Sequence, residues 1–158
     1  QGVAHVRRVR VHSRLPIVLP ERIDDGFLGA WSGLRLQKVV VVHANHAREI
    51  DDAVRTAIAR LRAADTTVLN QAVLLRGIND RAQDLVELSE ALFDAGALPY
   101  YLHVLDPVAG AAHFDLPAEA AQRLLAQVAS RLPGFLVPRL VREEPGAPAK
   151  TMLPPASR

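Results

Sequence analysis

With 158 residues, 49% of them hydrophobic and 23% charged, the chain is long enough to bury one core and short enough to read as one domain. No apolar run is long and charge-free enough to span a bilayer, no secretory signal opens the chain, and the lack of Cys excludes disulfides and thiolate-held metals from these residues alone. A net charge of +2 with scattered Arg, and only 4% aromatics, leaves neither a basic groove nor a stacking platform, so the default is a cytoplasmic protein with no nucleic-acid or membrane partner.

The chain opens on Gln1 rather than Met and enters a strand almost at once, the pattern expected of a piece of a longer protein. Val6 to Ser13 alternates Val with Arg or His and predicts a strand, with Arg7-Arg8-Val-Arg10 as its solvated edge. Ile23 to Leu34, opened by Pro20-Glu-Arg and carrying Phe27, Leu28 and Trp31, predicts a short helix. Lys38 to His43 is a β-branched run of the kind buried on both faces, and Glu49 to Ala64 sets Ile50, Val54, Ile58 and Leu61 on one helical stripe. Thr66 to Leu75 predicts the next strand. Asp80 to Ala95 predicts the next helix, capped by Asn79 or Asp80 and stopped at Gly96. Leu98 to Leu105, Pro117 to Leu132 and Phe135 to Val141 predict a strand, a helix and a fifth strand before a Pro-rich tail. Strands alternating with helices at this spacing imply an α/β fold with a parallel sheet and right-handed crossovers.

Polar residues gather where these strands end: Ser13-Arg14, His43 with Asn45 and His46, Asn70-Gln71, His103 with Asp106, and Glu143 followed by Lys150. The carboxyl ends of parallel strands build the ligand face of α/β barrels, so the clusters are expected to converge on one mouth. Each also has a plain alternative. Asp106 precedes Pro107 and can cap a turn, Ser13-Arg14 can be a solvated loop, and His43 or His46 can be a turn residue. Asn70 and Gln71 lie inside an apolar strand, where buried amides need partners that a facing ligand would supply. Only Lys38 and Lys150 are lysines, and Lys38 stands at the amino end of its strand. Lys150 is therefore the candidate imine-forming lysine, against the alternative of a solvated tail residue.

Arg10 to Arg22, His43-Ala-Asn-His46, Leu69 to Asp80, Pro99 to Asp106, Gly110 to Phe114 and Leu136 to Arg142 resemble, in order and over nearly the whole chain, the carboxyl-terminal half of the lysine 2,3-aminomutase family of radical S-adenosylmethionine (SAM) enzymes. The likeness is to the branch that makes β-lysine for modification of elongation factor P. His103 stands where free-lysine enzymes usually carry Tyr, and Pro-Gly-Ala-Pro-Ala-Lys150 where they carry glycines before the lysine.

The resemblance implies the carboxyl-terminal part of a radical SAM partial (β/α) barrel over residues 1–143 and a lysine-bearing loop and tail over 144–158. It implies an isomerase that moves the amino group of L-lysine from carbon 2 to carbon 3, using SAM, pyridoxal phosphate (PLP) and a 4Fe–4S cluster. The cluster's Cys-x-x-x-Cys-x-x-Cys ligands are absent here and expected upstream. Lys150 would hold PLP, with His103 beside it. Asp106 would pair with the distal ammonium of the substrate, and Glu143 falls at the second carboxylate for that ammonium. His43, Asn45, Gln71 and Ser13-Arg14 fall where the family contacts SAM. His113 stays open between packing and contact. Elongation factor P and its lysyl ligase would be functional partners. Two other readings remain: a non-catalytic remnant that binds PLP or only folds, and an unrelated phosphate-ligand or interaction domain. Half a barrel leaves the strand near Val6 to Val11 with an open edge, so dimerisation or aggregation is expected.

Overall fold

The computed structural model describes residues 5–156. Strand β1 (Arg8–Ser13) leads through a single helical turn α1 (Leu15–Val18) and a 3-10 turn (Pro20–Arg22) to α2 (Asp25–Ser32). There follow β2 (Gln37–Val42), α3 (Asp52–Ala63), β3 (Thr66–Val73), α4 (Ala82–Ala95), β4 (Leu98–His103), α5 (Ala118–Ala129), β5 (Arg139–Arg142) and β6 (Thr151–Met152). The sheet order is β1-β2-β3-β4-β5-β6, the first five strands parallel and β6 antiparallel. This is the expected α/β architecture. None of the helices among the described residues is long and apolar enough to cross a membrane.

Alternation along each strand sorts side chains between two faces. Val40 and Val42 of β2, Val68 and Ala72 of β3, Leu102 of β4 and Leu140 of β5 join one buried cluster. Val54, Ile58 and Leu61 of α3, Leu85, Leu88 and Leu92 of α4, and Leu124, Leu125 and Val128 of α5 complete it. Residues of the opposite parity point away from this core. They carry the site.

Several expectations need correction. The first helix is shorter than Ile23 to Leu34 because Asp24 takes the N-cap, accepting from Phe27 N at 2.7 Å, while Pro20–Arg22 forms its own turn. Neither Asn79 nor Asp80 caps α4; Arg81 stands there without a side-chain cap bond. Asn79 is fully buried instead, accepting from Leu75 N and donating to the Asn45 and Val73 carbonyls. It locks the loops after β2 and β3 together. The fifth strand begins at Arg139 rather than Phe135, since Pro138 has no N–H to give a ladder and Gly134–Leu136 turns as a 3-10 helix. Gly96 does stop α4, at a φ of 91°.

Besides the helical turn α1, two features near the site have no counterpart in the expected elements. The β3–β4 register passes from Asn70↔Pro99 to Gln71↔Tyr101, so Tyr100 is an extra residue in β4. The tail is not only a loop: Thr151 pairs with Arg142 and Met152 with Val141, Leu153 N donates to Leu140 O, and Gln122 bonds to Pro154 and Ala156. These bonds return Lys150 to the sheet.

Candidate functional site

The face turned away from the core presents His12 from β1, His43 just after β2, Gln71 from β3, Tyr101 and His103 from β4, and Glu143 just after β5. Register makes them neighbours. His12 pairs with Val41 and Gln71 with Tyr101, all on strands running the same way. The His12 and His43 rings meet edge to face at 6.1 Å, and those of Tyr101 and His103 at 5.9 Å. His12 also hydrogen-bonds Gln71. The bulge in β4 brings Tyr100 beside Tyr101, their hydroxyls 3.1 Å apart.

Lys150 enters from the tail. One step beyond Arg142↔Thr151, it faces Glu143 and forms an ion pair with that carboxylate, its amine 5.7 Å from the centre of the Tyr101 ring. Glu143 also lies 3.9 Å from Nδ1 of His103. The pairing holds the Glu143 carboxyl below the usual carboxylate range.

Burial keeps His103 below the ordinary histidine range; Lys150 and His43 push the same way, while Glu143 and Asp106 pull it back. His43 is lowered by burial, then by His12 and Arg14. His12 is lowered by burial and by Arg10 and Lys150, against the opposing bond to Gln71. At neutral pH these three imidazoles are uncharged, each offering one donor and one acceptor nitrogen.

The Nε2 atoms of His43 and His103 are buried and have no hydrogen-bond partner within the described structure. Buried polar atoms are almost always satisfied, so two orphans on one face single it out as the candidate ligand face.

The other candidates sit differently. Ser13 Oγ accepts from Leu15 N at 3.0 Å and Arg14 pairs with Glu49 at 2.9 Å, so both spend polar atoms on the chain itself. Asn45 Oδ1 accepts from Val73 N at 2.8 Å. His46 caps the turn Ala47–Glu49. The buried Asn70 amide needs no ligand, because it bonds both the N–H and the carbonyl of Ala44. Gln71, its neighbour, points the other way. Asp106 is exposed and lines, with Glu143, Arg142, Asp115 and Glu144, an open cleft of about 700 Å³ beside the mouth. His113 packs on Phe114, ring centres 4.0 Å apart.

His12 and Tyr101 were missed from the strand-end reading. The signal was present in the alternation Arg8, Arg10, His12 against Val9, Val11, Ser13, which puts His12 and not Ser13 on the site face.

No protein-family model matches the chain. Its sequence is 49% identical over 153 residues to L-lysine 2,3-aminomutase of Escherichia coli strain K12, covering 97% of this chain and 45% of that protein. It is 47% identical over 152 residues to L-lysine 2,3-aminomutase of Haemophilus influenzae, covering 96% of this chain and 45% of the relative. Over nearly its whole length the chain is similar to part of these lysine 2,3-aminomutases. It spans less than half the length of these relatives. A radical SAM methyltransferase from Sphaerobacter thermophilus matches the structure with a TM-score of 0.59 at 16% identity, over 84% of this chain and 40% of that one. That likeness is one of fold.

The lysine 2,3-aminomutase family implies three groups that the residues here can be tested against. A pyridoxal phosphate fits, since the half-buried Lys150 amine stands over an aromatic ring beside an orphaned imidazole nitrogen. A nucleoside-bearing SAM fits the orphaned His43 nitrogen. An iron–sulfur cluster does not fit these residues: the chain has no Cys, and no group of three metal-ligand side chains forms among the described residues.

Proposed function

We propose that the chain is the carboxyl-terminal part of a radical SAM, PLP-dependent L-lysine 2,3-aminomutase, an isomerase converting α-lysine to β-lysine in the cytoplasm. The observation that carries this is the pair of orphaned, buried Nε2 atoms of His43 and His103 on the face that also holds Lys150. In this reading residues 1–143 are barrel and 144–158 the lysine loop and tail; residues 1–4, 157 and 158 lie outside the described structure.

PLP and SAM, when bound, supply the radical chemistry that moves the amino group. The chain supplies position. Lys150 is the covalent anchor, delivered by β6 and held by Glu143 until it is used. His103, neutral and buried, offers a nitrogen to the group anchored at Lys150. His43 and Gln71 offer hydrogen bonds to SAM from two adjacent strands, with Asn45, Ser13 and Arg14 bracing the loops around them. Asp106 and Glu143 line the cleft where the distal ammonium of lysine sits, a charge match that rejects neutral amino acids of similar length. His103 in place of the Tyr usual in free-lysine enzymes supports a product destined for elongation factor P, with its lysyl ligase as the next consumer.

The test is to read the genome upstream of the Gln1 codon, express the whole frame and assay it with L-lysine. A frame carrying Cys-x-x-x-Cys-x-x-Cys, whose product makes β-lysine and loses that activity in Lys150→Ala, supports the reading. A start codon with no such motif leaves the non-catalytic alternative.

A further inference from the structure

Glu143 occupies a boundary. Its carboxylate holds the Lys150 ammonium on the sheet face, yet its side chain is 53% exposed and lines the cleft shared with Asp106. Both neighbours are placed by the fold, since Glu143 directly follows β5 and Lys150 directly precedes its antiparallel partner β6. We propose that Lys150 and a ligand ammonium compete for Glu143, so that the cleft recognises a diamine fully only after the Lys150 amine has been withdrawn. The inference rests on the site assignment above and adds an order to it: anchor first, substrate second.

Two ammonium groups crowded on one carboxylate repel each other and divide its charge between them. The cleft then keeps Asp106, Asp115 and Glu144 but loses the carboxylate that faces Lys150. Lys150 has somewhere else to go, because its amine already lies 5.7 Å from the centre of the Tyr101 ring, a second seat for a cation. Covalent use withdraws it more completely. Condensation of the Lys150 amine with an aldehyde forms a C=N bond, releases the carbonyl oxygen as water and sends the extra ammonium proton to solvent. The nitrogen then no longer presents three N–H donors, and Glu143 turns to the cleft.

The probe is 1,5-diaminopentane, titrated calorimetrically into the 158-residue chain and its variants, each shown folded by circular dichroism. Lys150→Met is expected to bind it about fivefold more tightly than the parent, the scale of losing one partly exposed competing ion pair. Lys150→Arg, which keeps the positive charge, is expected to show no gain, and Lys150→Met combined with Glu143→Gln is expected to lose it. A Lys150→Met chain that binds no better than the parent, or not at all, overturns the competition. Borohydride trapping of PLP separates the two claims: failure to label Lys150 while Lys150→Met still tightens diamine binding removes the proposed function and leaves the competition standing.

Discussion

Glu143 and Lys150 face each other across the antiparallel β5–β6 pair, one step beyond Arg142 and Thr151. A two-residue strand thereby decides where the only lysine of the tail stands. Without it Lys150 would sweep a wide volume, and with it the amine is placed over Tyr101 and beside His103.

The site histidines set an acid limit on stability. His12, His43 and His103 all titrate below the ordinary value of 6.5, burial being the largest cause in each. The unfolded chain therefore binds more protons than the folded one once pH falls below 6.5, and stability drops from there downward. The slope fades within about one pH unit above that value. Glu143, lowered by Lys150, adds a loss in a more acidic window, as pH falls from its ordinary 4.5 through its folded value. Urea unfolding at a series of pH values is expected to show the decline, and His103→Gln to make it shallower.

Asn79 is expected to be the costliest polar substitution in the loops. Asn79→Ala deletes three hydrogen bonds from a fully buried position, leaving the Leu75 N–H and the Asn45 and Val73 carbonyls without their side-chain partner. A loss of about 3 kcal/mol in urea unfolding is expected. A loss under about 1 kcal/mol would show that water replaces the amide.

Two glycines with positive φ separate backbone strain from crowding. Gly77 has φ 75° with open space around a would-be Cβ, whereas at Gly96, φ 91°, that carbon would lie 2.4 Å from Arg62 Nη1. Gly77→Ala is expected to cost about 1 kcal/mol, and Gly96→Ala about twice that. In an Arg62→Ala background the two costs should converge, because the crowding comes from that one flexible side chain.

Among the described residues no strand pairs with the outer edge of β1, which ends the sheet order, and Val11 is exposed. Concentration-dependent dimers or larger species are expected in sizing experiments, reduced in Val11→Lys by the charge this places near the edge. A monomer at every concentration would contradict this.

The alternation of strands and helices was legible because the Val-rich run 39–42 and the Leu stripe of α4 carry unmixed periods. Starts were less legible: Pro138 delays β5, and Asp24 takes a cap that Pro20 suggested would come earlier. At the site, His43, His103, Glu143 and Lys150 are brought together on one side of the sheet, whereas Ser13 and Asn70 are turned from that face by the parity of their strands. Asn70 and Gln71 show the rule most plainly, since adjacent amides in β3 serve opposite faces, one bonding Ala44 and the other His12. The bulge at Tyr100 and the two-residue β6 left no trace in the pattern. A single extra residue and a pair of residues are both too short to set a period.

The most direct measurement is borohydride reduction of the chain after incubation with PLP, followed by peptide mapping. The chain holds two lysines, and Lys38 is buried in β2 at the end of the sheet away from the mouth, which makes it an internal control. The account predicts a phosphopyridoxyl adduct on Lys150, none on Lys38, and its loss in Lys150→Ala. Equal labelling of both lysines, or no label on Lys150, would contradict it.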